Sequence, residues 1–209
     1  CSGGLMLGFD FHDRVNIQED INYYVACEMT NHQISRVFPF PGTPLWYRLQ
    51  EEGRVYDVPW VDVNFYGGGM KHRNFEPHEI EHLILEGYRK FYETYGPSIM
   101  RQLKVELNGY EWCRASNNKY LRDDRAEHHK EMCQMLYPVI QACEHFAPNG
   151  LVRRRIRQTE ERYRKNFGKP NPSQEVMSYY VLAKAFQAKL QESIDPKNRH
   201  PRQEPFKIY

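Results

Sequence analysis

No stretch of the 209-residue sequence approaches the roughly 20 consecutive apolar residues of a membrane-spanning helix, and no signal segment is visible at its start. There is no marked excess of either charge. Basic residues number 29 and acidic ones 27, a net +2, so neither a dedicated nucleic-acid protein nor a membrane-surface protein is expected. Cysteine is scarce. The five present are scattered, with no pair two residues apart and none of the clustered spacings an iron–sulfur site requires. Their odd number, with no signal segment, points to free thiols in a reducing cytoplasm. A glycine-rich phosphate loop, a Gly-x-Ser-x-Gly elbow and a Ser-His-Asp order are all missing, so motif alone assigns no catalytic residue. Internal repeats and low-complexity segments are absent too.

What is present describes a folded chain: 40% hydrophobic and 14% aromatic residues, in a length sufficient for one large domain or two small ones. Arg36 to Arg54 organises the rest. An apolar run leads into Pro39, Pro41 and Pro44, and a short amphipathic segment follows, ending at Gly53. Proline cannot donate a ladder hydrogen bond, so Pro39 and Pro41 mark a strand leaving its sheet. Thr43 suits an N-cap, Pro44 the first helical turn and Gly53 the C-terminal cap.

Upstream, Leu5 to Phe9 reads as a buried strand and Phe11 to Asn16 as polar loop. Asn16, with Glu19 three residues on, is placed to cap a helix carrying the stripe Ile17, Ile21, Tyr24, Val25 and Met29. Gln33 to Phe38 forms a second strand. Together they make a βαβ unit with parallel strands. Two such strands do not form a stable sheet alone. With the abrupt Cys1-Ser-Gly-Gly opening, this suggests a piece of a larger domain. Residues 55–75, containing Trp60 and Gly67-Gly-Gly69, read as an irregular linker. From Glu76 the chain reads as helical: about 77–95, 98–114, 119–146 with a kink at Pro138, 151–166, and 172–193 opened by the capping signal Asn171-Pro-Ser-Gln174. Residues 195–209 read as an extended tail.

Three patterns invite a chemical reading. His78-Glu-Ile-Glu-His82 matches the zinc-protease string, with Glu79 as base and Glu106 or Glu111 as a possible third ligand. It falls in an exposed first helical turn, and the longer form of the motif is missing. His129 and Cys133, four apart beside His128, share a helix face, but an ordinary half-buried helix explains them as well. Arg153-Arg-Arg-Ile-Arg157 is followed by Glu160, Glu161, Arg162, Arg164 and Lys165, which reads as a solvated face with paired charges. Nucleic-acid binding would need a wider patch with stacking aromatics.

The central stretch resembles a known family. Pro39-Phe-Pro-Gly-Thr-Pro-Leu45, Leu49, Glu52-Gly-Arg54 and Trp60 are similar to the end of the catalytic domain of radical S-adenosylmethionine enzymes, most of all those carrying a cobalamin (B12)-binding domain. Gly4-Leu-Met-Leu-Gly-Phe-Asp10 resembles the fifth strand of that partial (β/α)6 TIM-like barrel, and Gln33 to Phe38 the sixth. Glu76-Pro-His-Glu-Ile-Glu81 and Tyr88-Arg-Lys-Phe-Tyr92 resemble the helix that follows, which gives the zinc-like string a mundane origin. The resemblance implies an α/β portion followed by an all-α one: residues 1–54 as the last βαβ of the barrel, 55–75 as linker, 76–194 as a helical C-terminal region and 195–209 as tail. It implies a reaction using S-adenosylmethionine, a 4Fe-4S cluster and cobalamin on a small-molecule substrate, with the upstream barrel and cobalamin domain as partners. The family's Cys-x-x-x-Cys-x-x-Cys loop is absent here, so the chain is expected to be inactive alone. The family's adenine-contacting positions correspond to Met6, Gly8, Phe38 and Pro39. The alternatives are a non-catalytic helical interaction domain and a zinc hydrolase using His78, Glu79 and His82.

Overall fold

Ser2, Gly4 and Met6 alternate with Gly3, Leu5 and Leu7, the period-two pattern of a strand with one covered face. In the computed structural model, which describes residues 2–57, 59, 63, 64 and 68–194, this segment is strand β1 (Ser2–Leu7). It pairs in parallel with β2 (Asn31–Arg36), Leu5 lying opposite Ile34 and Leu7 opposite Arg36. Both strands begin and end earlier than Leu5–Phe9 and Gln33–Phe38. Gly8, at φ 90°, turns the chain out of β1. At the other end, Gly3 and Gly4 pair with His32 and Gln33, a ladder that needs no apolar side chain to form. The tail, Trp60 and Gly67 lie outside the described residues.

Between the strands runs α1 (Asn16–Ala26), burying Ile17, Ile21 and Tyr24. Its cap is Asp13 rather than Asn16: the Asp13 Oδ1 accepts from the N–H groups of Val15 at 2.8 Å and Asn16 at 2.9 Å. Asn16 bonds back, its Oδ1 accepting from Asp13 N at 2.8 Å. Met29 falls beyond the helix, past Glu28 in the left-handed region at φ 46°. The helix after β2 is as expected. In α2 (Pro44–Glu51), Thr43 accepts from Trp46 N at 3.3 Å, and Gly53 turns the chain at φ 63°. Val55 and Met70 then form an isolated antiparallel bridge. Met70 joins Val37 and Leu49 in a small core. Next comes α3 (Pro77–Tyr95).

The chain divides into two compact units, one up to Phe91 and one from Tyr92. In the first, α1 and α3 cover the sheet face that carries Leu7 and Ile34. The Tyr24 hydroxyl donates to Gly3 O at 2.6 Å and accepts from Gln33 N at 3.2 Å, bridging the two strands. Tyr88 on α3 works on the other side of β2. Its hydroxyl accepts from Ile34 N at 2.9 Å and donates to Ile34 O at 3.2 Å. Because Val37 N reaches Leu7 O, the odd residues of β2 face β1 and Ile34 faces away. Tyr88 therefore blunts the outer edge of β2.

The second unit is helical: α4 (Ser98–Arg114), α5 (Ala126–Leu136), α6 (Ile140–His145), α7 (Gly150–Phe167) and α8 (Pro172–Ile194). Met100, Leu103, Leu107, Leu136, Val152 and Ile156 are among its core residues. The expected single helix over 119–146 is interrupted twice. A π-helical turn occupies Leu121–Arg125, and Tyr137–Val139 tightens into a 3₁₀ turn at Pro138, whose ring cannot continue the α-helical ladder. Asn149 caps α7 by accepting from Val152 N at 2.9 Å. Asn171 and Gln174 cap α8 reciprocally, each accepting the other's backbone N–H at 2.9 Å.

Replacing Tyr88 by Phe leaves Ile34 N–H and C=O without their hydroxyl partner. It is expected to cost about 1–3 kcal/mol, read as a lower urea midpoint at unchanged slope. Tyr120→Phe, whose side chain is exposed, is the control and should change nothing.

Candidate functional site

The ends of β1 and β2 that lead into α1 and α2 gather most of the buried polar chemistry of the first unit. Gly8 has to be glycine: its φ is 90°, and a Cβ there would sit 3.2 Å from Ile80. The turn is pinned by His12, which is fully buried. Its Nδ1 accepts from Gly8 N at 2.9 Å and Phe9 N at 3.2 Å, so the proton resides on Nε2, which donates to Asp20 Oδ2 at 3.1 Å. His72 follows the same logic. Its Nδ1 accepts from Asn74 N at 3.0 Å, and its Nε2 donates to Phe9 O at 2.7 Å. Burial pushes the His72 pKa down, favouring this neutral form. Asn74 completes the tether by donating to His12 O at 2.8 Å.

Beside this turn stands a charge cluster. Arg54 grips Asp10 with both terminal nitrogens, at 3.0 and 2.5 Å, and donates to Glu52 at 2.7 Å. Arg48 lies 3.6 Å from Asp10, and Arg73 lies 3.4 Å from Glu52. The hydrogen bond from Arg54 holds the carboxyls of both Asp10 and Glu52 below the usual carboxylate range. The same bond to Asp10 raises the guanidinium of Arg54 further.

Arg36, at the end of β2, is the outlier. It is buried, 1% exposed, and its Nη1 has no hydrogen-bond partner among the described residues. The carboxylate facing it, Glu81 Oε1, is 3.8 Å away on α3. Desolvation lowers the Arg36 pKa, opposed by Glu81 and Tyr56. Its position follows from the alternation His32, Ile34, Arg36, which places it on the covered face.

The structure brings Met6, Gly8, Phe38 and Pro39 to the same end of the sheet. Met6 is 39% exposed on the face that α1 and α3 leave bare. The Gly8 N–H is engaged by His12. Phe38 and Pro39 are buried, and a Cβ on Gly69 would come within 2.5 Å of the Phe38 ring. Arg36, Asp10 and Arg54 escaped sequence reasoning because their partners lie up to 45 positions away, and His12 escaped it although Gly8, Phe9 and Asp20 are close in sequence. Only the period-two position of Arg36 offered any signal.

The zinc-like string resolves into helix capping. Glu79 Oε2 accepts from Glu76 N at 2.8 Å, and its Oε1 accepts from Arg14 at 2.5 Å, which lowers the Glu79 pKa. His78 and His82 line a groove of about 280 Å³ with Phe75 and Leu83. Among the described residues, no three His, Cys, Asp or Glu side chains are placed to hold a metal. Glu106 pairs with His129 at 2.7 Å and Glu111 with Arg162 at 2.7 Å. Burial drives the Cys133 thiol up to about 12, so it remains protonated. The basic run on α7 is largely partnered: Arg157 with Glu144, Arg164 with Glu160, and Arg155 with the carbonyl of Thr94. No helix among the described residues is long and apolar enough to cross a membrane.

Because the Asp10 pKa is depressed in the folded state, its contribution is fully present above about pH 4 and is lost as pH falls through the folded value. Urea midpoints measured between neutral pH and about pH 3 should fall for the wild type. Asp10→Asn should start lower and fall less, and equal slopes in the two proteins would remove Asp10 from the acid response.

Compared with protein-family models, with curated proteins and with solved structures, the chain has no match.

Proposed function

We propose that this chain supplies the last βαβ unit and the helical C-terminal region of a radical S-adenosylmethionine enzyme of the cobalamin-binding class. The observation that carries this reading is the asymmetry of the two-stranded sheet. Tyr88 closes the outer edge of β2, while β1 has no strand on its far side among the described residues. A parallel sheet in that condition fits the end of a larger one whose next strand lies upstream of β1. The bare face fits a barrel interior. It carries the exposed Gly4, Met6 and Gln33, with Ser35 buried nearer its end, while the helices take the opposite face as they do outside a barrel.

On this reading the ends of β1 and β2 border the S-adenosylmethionine pocket, as ligands do at the carboxyl ends of strands in α/β sheets. Met6 offers an adaptable thioether surface to an adenine ring. Gly8 keeps the turn low enough for close approach, and Phe38 with Pro39 forms a rigid rim. A 4Fe-4S cluster, held by cysteines outside this chain, would supply the reductive cleavage of S-adenosylmethionine. The residues here bind and orient.

The second reading, a helical interaction domain, is favoured by α8, which exposes Val176, Tyr179, Phe186 and Leu190. It applies to the second unit and is compatible with the first.

In the parent protein, a Cys-x-x-x-Cys-x-x-Cys motif is expected upstream of residue 1, and Met6→Glu should weaken S-adenosylmethionine binding about tenfold or more at unchanged iron content. Calorimetry with the cofactor and iron analysis measure the two. A parent lacking the cysteine motif, or binding unaffected by Met6→Glu, overturns the reading.

A further inference from the structure

We propose that Arg36 anchors an oxyanion site at the carboxyl end of β2, taking the carboxylate or phosphate group of a small-molecule ligand. The proposal stands apart from the radical-enzyme reading, since it rests on one side chain and its surroundings. Buried cations in proteins are normally paired and hydrogen-bonded, because leaving water strips the charge of its solvation. Arg36 departs from this rule. Its side chain is 2% exposed, yet Nη1 makes no hydrogen bond among the described residues. Glu81 does not remedy this. At 3.8 Å it is beyond hydrogen-bonding range, and its own side chain is 38% exposed, so part of its charge is spent on water.

The wall beside the guanidinium is glycine. A Cβ at Gly68 would stand 2.7 Å from Nη1 and 3.2 Å from Cζ, so any side chain there would occupy the space against the charged group. The backbone can come this close only because position 68 carries none. A guanidinium presents its donors as a planar fork that fits two oxygens of one carboxylate or phosphate. An unpaired donor on a buried fork, with a bare backbone beside it, is an incomplete oxyanion site.

The test is calorimetric titration of the full-length protein with inorganic phosphate and, separately, with acetate, at constant ionic strength. One of the two is expected to bind saturably, and which one distinguishes a phosphate ligand from a carboxylate. Arg36→Met should weaken that binding about 10- to 100-fold. It should fold, because an apolar side chain of similar length replaces a poorly paired buried charge. If circular dichroism shows that it does not, Arg36→Lys, which keeps the charge and loses the fork, replaces it and should also weaken binding. Glu81→Gln removes the competing carboxylate and should tighten binding about threefold or more. Absence of saturable binding of either anion, binding unchanged in the Arg36 variant that folds, or binding unchanged or weakened by Glu81→Gln overturns the proposal.

Discussion

A parallel pair of strands has too little surface to hold itself together, and the first unit is arranged around that constraint. The covered face of β1 and β2 needs helices at close range, and α3 achieves this at Gly87, where a Cβ would sit 2.6 Å from Ile34. Glycine inside a helix costs roughly 0.5–1 kcal/mol relative to alanine. Here that cost permits an approach that leaves Ile34 and Phe91 fully buried. Two tyrosine hydroxyls then settle backbone groups that side-chain packing cannot reach. Tyr24 joins the strands, and Tyr88 ends the ladder. Coverage on one face and closure on one edge together determine which surfaces are left bare among the described residues: the face of Met6 and the far edge of β1.

The same constraint explains the polar crowding at the strand ends. Once the chain leaves β1 at Gly8 it must turn back into α1 within a few residues, with backbone groups that no ladder satisfies. His12 takes two of those N–H groups on one ring nitrogen, and His72 and Asn74 take carbonyls from the opposite side. The Asp10–Arg54 fork joins this turn to the segment after α2, across 44 positions of sequence. Loop entropy grows only slowly with such separation, so one well-formed charged fork can hold the two segments together.

How legible all this was in the sequence depended on the range of the interaction. Thr43, the Asn171–Gln174 pair and the break at Pro138 act within four residues, and their chemistry is visible in a short window. Asn16 differs from its expected role for a local reason: Asp13, three residues earlier, accepts from the N–H groups of Val15 and Asn16 and starts the turn before Asn16 can cap it. The strands were displaced because Gly3, Gly4 and Asn31 read as breakers, whereas their ladder bonds come from backbone alone. The contacts of His12 with Asp20, Asp10 with Arg54 and Arg36 with Glu81 have no local signature, since each partner arrives only when the fold closes. The His78-Glu79-His82 string shows the reverse error, a complete local pattern whose glutamate is already committed to capping and to Arg14.

The strand ends also carry an electrostatic argument. Arg36, Arg48, Arg54 and Arg73 face Asp10, Glu52 and Glu81, an excess of one positive charge in a region that includes a guanidinium sealed from water. The exposed members of the set contribute little to stability, because solvent and salt screen them. Arg54 satisfies its fork on Asp10 and Glu52. The surplus falls on the exposed Arg48 and Arg73, whereas Arg36, facing Glu81 at 3.8 Å, is the charge that burial screens least, where β2 ends against bare glycine backbone. A positive charge placed in that way disfavours a cationic neighbour and favours an anion that can pair with the unsatisfied nitrogen. The feature that looks least comfortable in the folded chain is thus the one that most narrows the chemistry of what the strand ends can accept.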